Sequence, residues 1–138
     1  IAESFLFIHD KYFDDPNMLT EQFFLQGRVK LETIPHEMRM SHWVYAPRLT
    51  DMKSGQVLLD LIGQCWDCQS AIERDNALCL TLDGYPDRAN WLELAFLPDT
   101  GRVQLRAGNI DTKALIAQEF LPQELTGYFD TIRANLIC

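Results

Sequence analysis

The chain has 138 residues, 47% of them hydrophobic and 23% charged, the size and balance of a globular domain that folds without a metal or disulfide staple. Its net charge of −8 argues against sequence-independent binding to nucleic acid, where Lys and Arg must displace phosphate counterions, and against docking on anionic lipid. No apolar run approaches the ~20 residues of a membrane helix. Phe5 to Ile8 and Val57 to Ile62 are strand-sized.

In chain order, Ser4 to Phe13 is rich in aromatics (Phe5, Phe7, Tyr12, Phe13) and fits a strand or a short helix. Asp14-Asp15-Pro16-Asn17 reads as a turn. Two strand-like pieces flank Gly27: Phe23-Phe24-Leu25, then Arg28 to Thr33, where Val29, Leu31 and Thr33 alternate with charged residues. Pro35 is expected to end the second piece. Met40 to Val44 resumes extended structure, and Pro47 points to an edge or a strand end, because proline cannot donate to a ladder.

The clearest pattern lies between Gln56 and Arg106. Gln56 to Ile62 follows a Lys53-Ser54-Gly55 turn, and Ala77 to Leu82 follows Arg74-Asp75-Asn76. Trp91 to Leu97 follows Asp83-Gly84-Tyr85-Pro86-Asp87, and Arg102 to Arg106 follows Pro98-Asp99-Thr100-Gly101. Short strands joined by such turns read as an antiparallel meander. Beyond it, Thr112 is expected to cap a short helix running to Phe120. Pro122 then suits the first turn of a longer helix, with Leu125, Phe129, Ile132 and Leu136 as its apolar stripe. The expected fold is α+β, one domain over residues 1–138. It consists of an antiparallel meander of about five to seven strands, packed by one or two C-terminal helices.

Cys65 and Cys68 have Cys-x-x-Cys spacing, which suits a redox dithiol or half of a zinc site. No strand-to-helix junction follows them and no second ligand pair exists, so ordinary reduced cysteines are expected. His9, His36 and His42 are isolated, and no nucleophile elbow or Gly-rich phosphate loop occurs. The expectation is therefore a non-enzyme with no cofactor and no metal. No signal pattern and no Asn-x-Ser/Thr acceptor is present, which leads to an expected cytoplasmic location.

Charge is uneven. Between Asp51 and Asp99 the acids far outnumber Lys53, Arg74 and Arg88. Trp66-Asp67 and Tyr85-Pro86-Asp87 each set an aromatic beside an acid, a combination that can anchor and steer a partner. Asp60, Trp66, Asp67, Asp83, Tyr85 and Asp87 are thus the candidate partner-binding residues. The expected function is a protein-binding module with an acidic surface and a basic protein partner, with no nucleic acid or membrane partner. A bacterial toxin-neutralising immunity protein is its concrete form. The alternatives are a small ligand-binding domain or enzyme with a pocket lined by Trp43, Tyr45, Trp66 and Trp91, or a self-associating accessory domain forming a homodimer.

Overall fold

A computed structural model describes residues 5–7, 20–37, 43–86, 88–113 and 115–133. The strands are β1 (Phe5–Phe7), β2 (Thr20–Phe24), β3 (Val29–Glu37), β4 (Trp43–Asp51) and β5 (Val57–Asp60), followed by β6 (Trp66–Arg74), β7 (Ala77–Gly84), β8 (Asn90–Leu97), β9 (Arg102–Asn109) and β10 (Leu115–Phe120). A helix, α1, spans Pro122–Arg133. The strands form two antiparallel sheets. One has six strands in the order β1-β6-β7-β8-β9-β10, and the other has four in the order β2-β3-β4-β5.

The larger sheet follows directly from alternation. Leu78, Leu80 and Leu82 on β7 all point to one face and are buried. Register aligns Leu80 with Leu94 and Leu94 with Leu105, while Leu78, Phe96 and Val103 form a parallel row. The smaller sheet contributes a matching row, Leu31–Leu49–Leu59. One apolar cluster joins these rows across the two sheets. Each fully buried Leu or Phe in it contributes about 1.5–3 kcal/mol relative to exposure.

Local chemistry sets the turns. Asp75 and Asn76 both have positive φ (52° and 62°) between the paired residues Arg74 and Ala77. That is the two-residue hairpin whose twist matches its strands, and Asp and Asn tolerate it best after glycine. A bulge makes Leu58 the extra residue between the Thr50–Val57 and Leu49–Leu59 pairs. Two consecutive leucines, Leu58 and Leu59, are buried as a result.

The antiparallel character and the helix from Pro122 match the sequence expectation, with several corrections. A single meander is replaced by two sheets, because β5 pairs with β4 rather than with β6. Residues 115–120, expected to be helical, form β10, paired along its length with β9. One helix is described, so the expected packing by helices reduces to α1 alone. Its start is well formed: Glu124 Oε1 accepts the Leu121 N–H at 2.7 Å, Pro122 lies in the first turn, and Leu125 and Phe129 are buried. The helix touches β5 and β10, so it closes the side where the edges of the two sheets face each other. Leu136 and the Ile132 side chain lie outside the described residues, as does the 14–17 turn.

Both prolines are tolerated inside strands for the same reason. Among the described residues the β2 ladder ends at the Thr20–Thr33 pair, so there Pro35 has a β-neighbour on the β4 side alone. Pro47 lies just past the β5 ladder, and its carbonyl accepts the Leu61 N–H at 3.0 Å.

Two arginine–carboxylate pairs with two hydrogen bonds each lie on the smaller sheet, and Lys30 adds a looser contact to Glu32 at 3.8 Å. Arg48 grips Glu32 through Nε and Nη2 at 3.0 and 3.1 Å, and Arg28 grips Asp51 at 2.9 and 3.3 Å. These hydrogen bonds hold both carboxyl groups below the ordinary carboxylate range despite their burial. A carboxylate with a lowered folded-state pKa adds stability above its unfolded pKa (about 4), and that stability is lost as pH falls through the lower folded value. Unfolding free energy is therefore expected to fall as pH drops from about 5 toward 3. The double variant Glu32→Gln/Asp51→Asn is expected to flatten that slope, each pair contributing about 1 kcal/mol. Urea titrations at several pH values check this, and an unchanged slope contradicts it.

Candidate functional site

The sequence-derived set divides between two places. Asp67 on β6 and Asp83 on β7 are register partners. The loop after β7 brings Arg88 between them: Nη1 lies 2.6 Å from Asp67 Oδ2 and 2.8 Å from Asp83 Oδ1. Gln69 donates to the same two carboxylates at 3.2 and 2.8 Å. The Arg88 guanidinium also sits over the Tyr85 ring, 5.3 Å from its centroid. Burial alone would draw the Arg88 pKa down, but the hydrogen bonds and charges of Asp67 and Asp83 outweigh it and raise it above its ordinary value.

Asp67 itself has no exposed surface. Its Oδ1 accepts the backbone N–H of Tyr45 at 2.9 Å, reaching from the larger sheet to β4 of the smaller one. Trp66, its neighbour, points the other way into the apolar cluster and is only 4% exposed. Thus Asp67 and Trp66 offer no surface to a partner, and Asp83 is half-buried and already paired. Asp87 lies outside the described residues.

Asp60 stands apart, on β5 of the other sheet. It is exposed, and its Oδ1 accepts the Ile62 N–H at 3.1 Å. It lies on the wall of a cavity of about 430 Å³ that also includes Arg48, Gln64, Leu125 and Phe129. Sequence reasoning missed Arg48, Gln64 and Arg88. Arg88 had a signal, as one of the few cations in the acidic stretch; the other two are placed by pairing and loop geometry. Of the four aromatics expected to line a pocket, Tyr45 and Trp66 are core residues. None of the four lines this cavity.

The cysteine pair does not form a dithiol site. Cys65 is disulfide-bonded, whereas Cys68 and Cys79 are free. The expectation of ordinary reduced cysteines is thereby corrected for Cys65. Cys68 is fully buried, and burial, reinforced by the Asp67 charge, pushes its thiol far above the ordinary range. It is a poor nucleophile in this position. Among the described residues, no group of three or more His, Cys, Asp or Glu side chains is placed to hold a metal. No helix among them is long and apolar enough to cross a membrane.

The third feature is the β10 edge. Leu115 through Glu119 are all exposed, and Leu115 and Ile116 keep 58% and 46% of their surface. One side of β10 pairs with β9, and the other has no strand neighbour among the described residues.

The architecture is that of a two-sheet antiparallel fold with one side closed by a helix. Compared with known proteins, the chain matches no family model, no curated sequence and no solved structure.

Arg88→Ala removes the guanidinium that contacts the buried Asp67 carboxylate at 2.6 Å and is expected to cost about 3 kcal/mol. Asp83→Asn, at the more exposed end, is expected to cost about 1 kcal/mol or less. Chemical denaturation of both variants measures the difference, and equal losses contradict it.

Proposed function

We propose that this chain is a non-catalytic protein-binding module whose contact surface is the open edge of β10. The observation that carries this reading is the exposure of Leu115 and Ile116 on an edge strand. Sheet edges with free N–H and C=O groups pair readily with an added strand, and proteins usually blunt them with charge, proline or a cover. β10 carries a single charge, Glu119, which lies 3.8 Å from Arg102 of its own sheet. An extended segment of a partner gains main-chain hydrogen bonds there, and the two apolar side chains supply contact area.

The net charge of −8 favours a basic partner by long-range attraction. Steering comes from the summed field, since Asp67 is buried and both Asp67 and Asp83 share the single charge of Arg88. A toxin-neutralising immunity protein remains the concrete form of such a module.

Selection from a random-peptide display library tests the reading. The expected ligands are extended, net-basic peptides with alternating apolar residues, whose binding weakens with salt. The charge-neutral double variant Leu115→Ser/Ile116→Ser is expected to weaken them at least about tenfold while leaving stability nearly unchanged, because both side chains are exposed. Ligands that bind the variant equally well contradict the β10 assignment. A doubled mass in light scattering that the variant abolishes would instead make a second copy the partner.

A further inference from the structure

We infer that the cavity between β5 and α1 is a binding site for a small zwitterion with an apolar side chain, of the α-amino-acid class. The cavity holds about 430 Å³, within the ~300–1,000 Å³ range of small-molecule sites. Its wall combines three kinds of chemistry. Val57, Leu125 and Phe129 give an apolar surface, although Val57 is half exposed to solvent. Arg48 and Asp60, register partners on β4 and β5, give one charge of each sign. Gln64 gives an amide carbonyl, Oε1, that is buried without a hydrogen-bond partner among the described residues.

An unpartnered buried acceptor is costly, and such atoms mark places where a water or ligand completes the structure. The two charges are also incompletely used. Arg48 spends Nε and Nη2 on Glu32, leaving Nη1 without a hydrogen bond among the described residues. Asp60 accepts one backbone N–H through Oδ1, leaving Oδ2.

Candidate ligands can be separated on this chemistry. A purely apolar molecule would desolvate Arg48, Asp60 and the Gln64 carbonyl without replacing their water. A simple cation would face Arg48. An anion would face Asp60 and the field of a chain with net charge −8. A zwitterion satisfies all three groups: its carboxylate accepts from Arg48, and its ammonium, with three donors, serves both Asp60 and Gln64 Oε1. The side chain then rests on Phe129 and Leu125. This site is independent of the β10 edge and would stand if no partner bound there.

Titration calorimetry with L-phenylalanine and L-leucine, and with N-acetyl-leucinamide as a neutral control, tests the inference on the intact chain. Both amino acids are expected to saturate one site, and the neutral control to bind at least about tenfold more weakly, the weight of a lost charged hydrogen bond. Asp60→Asn and Gln64→Leu are each expected to reduce amino-acid affinity about tenfold or more. Gln64→Leu removes an unsatisfied acceptor, so its thermal midpoint is expected to hold or rise, which separates lost binding from lost folding. No saturation by either amino acid up to about 10 mM, far above the affinity of a formed site, overturns the inference. Equal binding of the neutral control, or unchanged affinity in both variants, overturns it as well.

Discussion

Everything in this fold depends on how two separate sheets are held in register, and the buried Asp67 carboxylate is the joint. A strand amide that points away from its own sheet must find an acceptor or lose about 1–3 kcal/mol. The Tyr45 N–H finds Asp67 Oδ1 at 2.9 Å. The other oxygen of this fully buried carboxylate accepts from Arg88 at 2.6 Å and from Gln69 at 3.2 Å. An acid, an amide side chain and a guanidinium from three points on the chain thus act as one unit, and the larger sheet cannot slide against β4 without breaking it. At the other end of β6, Glu73 Oε1 accepts the Leu25 N–H from the β2–β3 turn. Strand β6 is therefore tied to the smaller sheet at both ends. Hydrophobic burial supplies the attraction between the sheets; these polar contacts choose the alignment.

Helix α1 completes the closure on the opposite side. Leu125 and Phe129 are buried on the helix that contacts β5 and β10, and the Tyr128 ring lies tilted at 44° against Phe120, centroids 5.3 Å apart. Among the described residues two features remain open beside it: the cavity next to β5 and the exposed run of β10. Both functional proposals arise from these two features. They differ in scale, one fitting a small molecule and the other a strand.

Much of the larger sheet was legible because its strands alternate. Leu78-x-Leu80-x-Leu82 and the turn at Asp75-Asn76 carry period and punctuation in the local sequence. β10 was not legible, because Leu115, Ala117, Gln118 and Glu119 are good helix formers behind a plausible cap at Thr112. Pairing with β9 overrides that local preference, and a short window contains no trace of β9. The 65–74 stretch was hidden for a different reason. Asp67, Gln69, Ser70 and Glu73 make it look polar and turn-like, yet Asp67 and Glu73 are the residues that reach the other sheet. The partner of Asp67 is a backbone N–H, which has no residue signature at all. For the same reason Asp67 resembled a surface acid in the sequence and is a buried structural one in the fold. Arg48 and Asp60 are brought side by side only by the β4–β5 hairpin, so the cavity too had no linear motif.

The central claim, that Asp67 fastens the two sheets through the Tyr45 amide, is tested most directly by native-state hydrogen exchange at that one amide. In the unaltered chain the Tyr45 N–H is expected to exchange only through global unfolding, as slowly as the Leu80 and Leu94 amides of the central strands. In Asp67→Ala it is expected to exchange far faster than those amides, while the strands of the larger sheet keep their protection. A Tyr45 amide that exchanges rapidly in the unaltered chain, or that keeps its full relative protection in Asp67→Ala, would contradict the account.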